Sequence, residues 1–465
     1  MNKFNMEKKS LFIEFSMLAV ALLLPGIMGS CKEKKEEKQY VVILSMDGFR
    51  WDYCSDTLTP NLKRIAEKGV RAQGLQSCFP TQTFPNHYSM ATGLYPCNHG
   101  IIANRFYSRR LNKWYSPAVA NDASFYGGEP IWNTVQKQGL KTANFFWIGS
   151  EAPVGGRHPD IYKYYDENKD ITYAQRIDSV VSWLNRPEKE RPRLVMLYFE
   201  DPDKTTHVND PDPYKSKETL GKIKECDSLA GVLDRKLQEL PIAGNIHLIV
   251  VSDHGMCPVD STVYLSGYLK KSWIVDSSSY FGSPLSLVDI HPGKLDSAWM
   301  ALKGVKHIKA WKKTDIPGRL HYGKNTDTGN LVVLADSAWN IVYENPVTLK
   351  GNHGFDNQNR DMYGIFYAYG PKFRENKVVG EFPNVQLYNI IAYLLELKNP
   401  APTDVQLEEV SFLFKTEFQE KGGNSYVFET FRSPNQAHAG RPIQAHAGRP
   451  IQVHVGRPIL KFPLH

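Results

Sequence analysis

The stretch QYVVILSMD, residues 39–47, determines the class of fold that we expect. Residues 40–46 carry no charge and are mostly Val, Ile, Leu and Met, and the run ends abruptly at Asp47. A short apolar run of this kind is typical of a strand buried on both faces, as in a parallel sheet covered by helices. The rest of the chain should therefore supply parallel partner strands and the helices between them.

Similar apolar runs alternate with amphipathic segments along the chain, which favours an α/β fold with a mostly parallel central sheet sandwiched by helices. Between about residues 260 and 350 the apolar runs become shorter and turns more frequent, so we predict a smaller inserted antiparallel lobe there. The further predicted strands are residues 142–148, 193–200, 246–252 and 363–369, and the predicted helices are residues 60–69, 129–139, 217–240 and 385–395.

Three of the predicted strands end directly in acidic residues. Asp47 follows the first strand, the acidic segment 200–203 with Asp203 follows the strand at 193–200, and Asp253 follows the strand at 246–252. In an open parallel sheet, ligands bind beyond the carboxyl ends of the strands. The three endings therefore predict a metal cluster assembled at one edge of the sheet.

Three histidines are candidates for the same cluster. His207 lies four residues after Asp203, while His254 and His353 each precede a glycine in a polar loop. Carboxylates and imidazoles without thiolates suit zinc or manganese, and imidazole shifts the choice toward zinc. An isolated histidine is more often a structural or surface group, so the prediction depends on the acidic residues beside it.

The segment FPTQTFPNHY, residues 79–88, is the second feature with chemical content. Pro85 suits the first turn of a helix, and Asn86 can continue it. Thr83 then lies just ahead of that helix, where backbone N–H groups and the helix dipole favour an anion. A metal ion on its oxygen, together with the helix end, can make Thr83 a nucleophile; the alternative is that Thr83 only caps the helix.

Together these residues resemble the nucleotide pyrophosphatase/phosphodiesterase family of the alkaline phosphatase superfamily. The chain resembles a bacterial lipoprotein-type member of that family. The similarity covers about residues 40–400, with the motifs in the family's order. Each motif is weak alone, whereas the ordered set is highly specific. The motifs are residues 42–50, 83–96, 129–132, 145–147, 198–203, 252–256 and 351–354.

The resemblance implies the alkaline-phosphatase-like fold and two zinc ions per chain. It further implies that Thr83 attacks phosphorus to give a phospho-threonine intermediate, which water then hydrolyses, and that Asn86 donates a hydrogen bond to a phosphate oxygen. The implied ligands are Asp203, His207 and His353 for one ion, and Asp47, Asp253, His254 and the Thr83 oxygen for the other.

The activity implied by the resemblance is zinc-dependent hydrolysis of nucleotide phosphodiester or pyrophosphate bonds, with release of nucleoside 5′-monophosphates. Phe84 and Tyr165 match the positions that hold the base in nucleotide-cleaving members, with Trp147 nearby as a third candidate for substrate binding, and an aromatic face suits any base. Trp147 and Tyr165 can equally be core aromatics. A phosphomonoesterase or a phospholipid-headgroup phosphodiesterase on the same site remains open, as does an inactive lipid-anchored binding protein.

The net charge of +7 lies entirely at the two ends of the 465-residue chain. Residues 1–40 hold seven lysines and five glutamates, and residues 421–465 hold six basic residues and one glutamate, so residues 41–420 are neutral overall. A hydrophobic content of 42% excludes a disordered chain. We therefore expect a globular protein with a small-molecule substrate and no stable nucleic-acid partner.

The amino-terminal 30 residues have the pattern of an export signal, with a basic start and an apolar stretch too short to span a bilayer. Small residues precede Cys31, as in a bacterial lipobox; a plain secretory signal is the alternative. We expect an exported protein of the bacterial periplasm or outer membrane, anchored by lipid at Cys31, with residues 31–39 as tether.

Residues 401–465 form an atypical tail after the catalytic domain (40–400), with octapeptide repeats at 436–459.

Overall fold

The computed structural model describes residues 38–415 and the backbone of residues 418–419 and 427–428. The predicted signal, Cys31 and the octapeptide repeats lie outside the described residues. The helices are α1 (Pro60–Lys68), α2 (Thr83–Thr92), α3 (Pro96–His99), α4 (Ile131–Lys137), α5 (Tyr165–Asn168), α6 (Tyr173–Leu184), α7 (Asp203–Val208), α8 (Lys217–Gln238), α9 (Leu295–Leu302) and α10 (Leu387–Leu394).

The strands are, in chain order, β1 (Tyr40–Met46), β2 (Val70–Ala72), β3 (Leu75–Gln76), β4 (Phe106–Ser108), β5 (Lys113–Tyr115), β6 (Thr142–Phe145), β7 (Ile161–Lys163), β8 (Leu194–Phe199), β9 (Ile246–Val251), β10 (Cys257–Pro258), β11 (Ser261–Tyr264), β12 (Tyr280–Phe281), β13 (Leu285–Val288), β14 (Ile308–Lys312), β15 (Leu331–Ala335), β16 (Trp339–Val342), β17 (Gly351–Asn352), β18 (Phe366–Tyr369), β19 (Lys377–Val379), β20 (Phe382–Pro383), β21 (Phe418–Gln419) and β22 (Val427–Phe428).

Eight strands form a central sheet in the order β19-β2-β18-β9-β1-β8-β6-β7. At its centre β1 pairs in parallel with β8 on one side and β9 on the other, so that Val41 lies opposite both Leu194 and His247. β18 is antiparallel to both of its neighbours. The predicted α/β fold with a mostly parallel sheet is therefore confirmed.

Helices cover both faces of this sheet, because the side chains of each central strand alternate between two apolar cores. In β1, Val41 and Ile43 belong to the core shared with α2, α4 and α10, whereas Val42 and Leu44 belong to the core shared with α1, α6 and α8. All seven residues of β1 are buried. Burial on both faces explains why this stretch of sequence shows a continuous apolar run rather than an alternating one.

A smaller lobe lies within the interval predicted for it. Its four-stranded antiparallel sheet has the order β12-β13-β15-β14, and α9 packs on it through a separate apolar core that includes Leu302 and Val333. One pair in this part of the chain, β11 with β16, is parallel, which the sequence pattern did not predict.

Some predicted boundaries differ from those observed. The strand predicted at 142–148 ends at Phe145, because Phe146 has a φ of 64°, in the left-handed region, and turns the chain out of the sheet. The packed core also continues beyond residue 400, where we placed the start of the tail, since Val410 and Leu413 are fully buried. Across residues 38–415, no helix has both the length and the apolar character needed to cross a bilayer.

Candidate metal centre

The three acidic strand endings meet at one edge of the central sheet, because β8, β1 and β9 are neighbours there. Asp47 directly follows β1, Asp253 lies two residues after the end of β9, and both carboxylates are buried. Asp203 begins α7 after a short turn from β8, and its backbone N–H donates to the carbonyl oxygen of Asp47 at 3.0 Å. The sheet order therefore accounts for the meeting of three segments that are far apart in sequence.

One group of possible metal ligands consists of Asp203, His207 and His353. Asp203 and His207 are four residues apart on α7, which places them on the same face of the helix. His207 Nε2 lies 3.4 Å from Asp203 Oδ2, and His353 Nε2, from the loop after β17, lies 3.5 Å from Asp203 Oδ1. One donor atom from each residue lies within 4.8 Å of the other two.

A second group, formed by Asp47, Asp253 and His254, lies directly beside the first. His254 Nε2 is 3.3 Å from Asp47 Oδ1 and 3.1 Å from Asp253 Oδ2. The ring of His254 stacks on that of His353 with 3.7 Å between centroids, which joins the two groups. Thr83 Oγ1 lies 3.2 Å from His254 Nε2. The structure thus brings together all seven residues that the resemblance implied as ligands.

The three histidines share one orientation. Each Nδ1 lies 2.9 Å from a backbone carbonyl oxygen: that of Gly351 for His207, of Gly255 for His254 and of Thr81 for His353. A carbonyl can only accept, so each Nδ1 carries a proton, and each Nε2 faces the cluster, where a neutral ring presents its lone pair. This is the arrangement in which a histidine binds a metal ion, because the second hydrogen bond fixes the tautomer and the ring.

Each of the three carboxylates in the cluster has one oxygen that receives no hydrogen bond from the described residues. Asp47 Oδ1, Asp203 Oδ1 and Asp253 Oδ2 are buried without a hydrogen-bond partner among the described residues. Burial, followed by the repulsion of neighbouring carboxylates, raises the pKa of Asp47 and of Asp253. Burial has the same effect on Asp203, but the adjacent imidazoles of His207 and His353 bring its pKa below the ordinary value.

Unpaired buried carboxylates are unfavourable, and a divalent cation bound between them offsets that cost. Tyr198 assists at Asp47: its hydroxyl donates to Asp47 Oδ2 at 2.5 Å and leaves Oδ1 facing His254. The donor set, the unpartnered oxygens and the oriented imidazoles therefore fit two divalent cations, and oxygen with nitrogen donors suits zinc.

Thr83 is the first residue of α2, and the residue that precedes the helix is Gln82, which makes no side-chain cap. The alternative in which Thr83 caps the helix is thus not observed, since its hydroxyl faces His254 instead. The next N–H along the helix, that of Phe84, donates to Asn104 Oδ1 at 2.9 Å.

Asn86 does not reach the site, so the prediction that it donates a hydrogen bond to a phosphate oxygen is wrong. The side chain is fully buried: Nδ2 donates to the carbonyl oxygens of Pro80 and Gln82 at 2.9 and 2.8 Å, and Oδ1 accepts from the N–H of Cys78 at 2.7 Å. These bonds close the loop before α2 and leave no donor for a substrate.

Asn104, which the sequence analysis did not single out, lies beside the first turn of α2. Its Oδ1 accepts from Phe84 N–H beside Thr83, so the side chain can offer only its NH2 group to a substrate. The residue is only partly buried. A lone polar residue directly after the apolar run 101–103 was the available signal.

The three aromatic residues predicted to hold a base lie in different environments. Phe84 and Tyr165 are partly buried, and Lys204 Nζ donates to the Tyr165 hydroxyl at 3.1 Å. Trp147 is fully buried, and its Nε1 donates to the carbonyl oxygen of His87 at 3.1 Å. Trp147 is therefore a core residue and does not contact substrate, whereas Phe84 and Tyr165 remain candidates.

Known proteins resemble this chain over most of its length. Residues 41–356 match the model of the type I phosphodiesterase / nucleotide pyrophosphatase family. A venom phosphodiesterase of Crotalus durissus collilineatus is 35% identical over 399 residues, covering 82% of this chain and 47% of the venom protein. Ectonucleotide pyrophosphatase/phosphodiesterase family member 3 of Bos taurus is 33% identical over 397 residues, covering 82% of this chain and 44% of that protein. The chain spans about half the length of these curated relatives.

Among solved structures, murine ectonucleotide pyrophosphatase / phosphodiesterase 5 is similar, with a TM-score of 0.76 and 32% sequence identity. The match covers 81% of this chain and 100% of the murine chain. A further structure of the murine protein is of an inactive threonine-to-alanine form in complex with AMP.

Proposed function

The chain belongs to the type I phosphodiesterase / nucleotide pyrophosphatase family, and from this premise we propose that it hydrolyses nucleotide phosphodiester or pyrophosphate bonds and releases nucleoside 5′-monophosphates. The observation that carries the proposal is the position of Thr83 Oγ1, 3.2 Å from Nε2 of His254, whose ring stacks on His353 of the other three-residue group. A hydroxyl in this position can act as a nucleophile toward phosphorus.

The residues of the site have three proposed roles: metal ligand, nucleophile and hydrogen-bond donor to the phosphate. Asp203, His207 and His353 would hold one zinc ion, and Asp47, Asp253, His254 and the Thr83 oxygen the other. Paired divalent cations, when bound, activate the nucleophile and neutralise charge on the oxygens of phosphoryl transfer. Thr83 Oγ1 loses its proton and attacks phosphorus, and the other alcohol or phosphate departs on the opposite side. The phospho-threonine intermediate still carries the nucleoside on its phosphorus, so water that cleaves the Thr83 O–P bond releases the nucleoside 5′-monophosphate. The Asn104 NH2 group would donate to a non-bridging phosphate oxygen.

The nucleotide preference is supported by the aromatic residues near the nucleophile. Phe84 follows Thr83 on α2, and Tyr165 begins α5 at the sheet edge that carries the site. Their faces can hold a base by stacking, which is sequence-tolerant. The AMP complex of the murine protein is consistent with a nucleoside monophosphate as product.

The substrate class is tested by comparing three esters with zinc-loaded protein. We expect a p-nitrophenyl ester of thymidine 5′-monophosphate to be cleaved at least about 100-fold faster, in kcat/KM, than p-nitrophenyl phosphate or p-nitrophenyl phosphocholine, because only the first offers a base to stack. A faster monoester or phosphocholine rate would instead assign the phosphatase or phospholipid-headgroup function. No turnover of any ester by protein with two bound zinc ions would favour a binding protein.

We also propose that the protein is exported and anchored by lipid at Cys31, from the signal pattern before that residue. The relatives include proteins named ectonucleotide pyrophosphatases and venom phosphodiesterases. In a bacterial host, radiolabelled palmitate should enter the wild-type chain and not a Cys31→Ser variant, and only the variant should be released from membranes by salt. Equal labelling of the two chains would disprove the anchor.

A further inference from the structure

His87 is a buried residue of the site region that none of the proposed roles uses. It lies one helical turn after Thr83 on α2 and is fully inaccessible to solvent. Its Nδ1 lies 3.0 Å from the carbonyl oxygen of Thr83, and its Nε2 lies 2.8 Å from the hydroxyl of Ser45 on β1. We propose that His87 is a positioning residue, which fixes the Thr83 nucleophile relative to the strand that carries Asp47.

The hydrogen bonds determine the protonation of the imidazole. The Thr83 carbonyl can only accept, so Nδ1 carries the proton and donates it. Nε2 forms the second hydrogen bond of the ring, with the hydroxyl of Ser45. Both nitrogens are occupied, so His87 is not available as a metal ligand or as a proton donor to substrate.

The ring itself is held by two aromatic neighbours. Trp147 and Tyr198 pack nearly perpendicular to it, with centroid distances of 5.1 and 5.0 Å. Trp147 also donates from Nε1 to the carbonyl oxygen of His87. This contact gives the buried Trp147 a role as a support for His87, in place of the substrate contact that the sequence suggested.

The bonds form a continuous connection from Ser45 through His87 to the backbone of Thr83. Ser45 lies two residues before Asp47 on β1, so the connection ties the first turn of α2 to the strand end that supplies a metal ligand. His87 Nδ1 also lies 3.4 Å from Asp253 Oδ2, so the imidazole packs directly against the second group. Without His87, the first turn of α2 can shift relative to both carboxylates.

The expected consequence is a loss of rate rather than of binding. A displacement of about 1 Å at a reacting group can lower the rate about 100-fold. The substrate phosphate and base make their own contacts, so KM should change little. The metal ligands are retained, so the zinc content should stay near that of the wild type.

The test compares His87→Leu, His87→Asn and Ser45→Ala with a matched control, His99→Leu. His99, the last residue of α3, is also fully buried, and its Nε2 bonds to α2 at the Ser89 hydroxyl, 2.9 Å away and beyond the first turn that carries Thr83. We expect His87→Leu to lose about 100-fold in kcat with KM within about threefold of wild type. His87→Asn keeps a donor where Nδ1 stood and should recover about tenfold of that loss, and Ser45→Ala should lose about fivefold. Zinc content and Tm are measured for every variant.

This inference rests on the proposed role of Thr83, and the two can fail separately. If Thr83→Ala keeps its activity, the nucleophile is wrong. If Thr83→Ala is inactive but His87→Leu loses no more kcat than His99→Leu at a similar fall in Tm, only the positioning role is overturned. Should His87→Leu not fold, His87→Asn and Ser45→Ala decide the question: unchanged kcat in both, at full zinc content, contradicts the proposal.

Discussion

Replacing Thr83 with alanine is expected to lower kcat by at least about 10⁴-fold while leaving the fold intact, because the substitution removes the proposed nucleophile. The Thr83 side chain is nearly buried, and among the described residues its hydroxyl lies within hydrogen-bond distance of one side chain, that of His254. Its removal should therefore change Tm little. The measurement is hydrolysis of a p-nitrophenyl nucleotide ester by zinc-loaded protein, with Tm recorded for each variant.

Two variants control this experiment. Thr83→Ser keeps a hydroxyl in the same position and should keep activity within about 100-fold of wild type. Thr92→Ala removes a buried threonine hydroxyl from the last turn of the same helix, where it bonds to the Tyr88 carbonyl at 2.8 Å, and should leave kcat unchanged. Rapid quenching should trap the nucleoside 5′-phosphoryl group on Thr83 of the wild type. More than about 1% residual activity in Thr83→Ala, at full zinc content, contradicts the nucleophile assignment.

The fold was predictable because its central strands are buried on both faces. Burial on both faces requires continuous apolar runs, and those of β1, β8 and β9 are visible in the sequence and end in acidic residues. The order of the strands was not predictable from the same pattern. Adjacent β8, β1 and β9 depend on how the helices between them pack, and the parallel pair of β11 and β16 joins segments more than 70 residues apart.

The residues of the site were predictable where their spacing in the sequence places them together. They were not predictable where only the tertiary packing decides which side chain reaches the site. Asp203 and His207 are one helical turn apart, so their spacing alone places them together. Asn86 and Asn104 show the opposite case. Both are polar residues near Thr83 in the fold, but only the packing of the loop before α2 decides that Asn86 turns inward, and only the return of the chain after α3 brings Asn104 to Phe84.

Removing zinc should reverse the effect of Asp253→Asn on the melting temperature of the protein. In the metal-free protein the folded-state pKa of Asp253 is raised, first by burial and then by the charge of Asp203. A carboxyl with a raised folded-state pKa destabilises the fold above its ordinary pKa, so the Tm of the metal-free wild type should fall between pH 6 and pH 8. Asp253→Asn removes that charge, and each pKa unit relieved corresponds to about 1.4 kcal/mol. We expect the metal-free variant to melt about 2 °C or more above the metal-free wild type at pH 8.

With zinc present the order should invert, because the wild type gains binding free energy that Asp253→Asn, lacking one ligand, cannot gain in full. The variant should melt below the wild type and hold about one zinc ion instead of two. The control is Asp227→Asn, a buried carboxylate whose two oxygens accept from Leu62 N–H and the Asn61 amide. That charge is fully hydrogen-bonded, so its loss should lower Tm with or without zinc. If Asp253→Asn also lowers Tm in both states, the buried carboxylates are stabilised by the protein alone, and the cluster does not need cations.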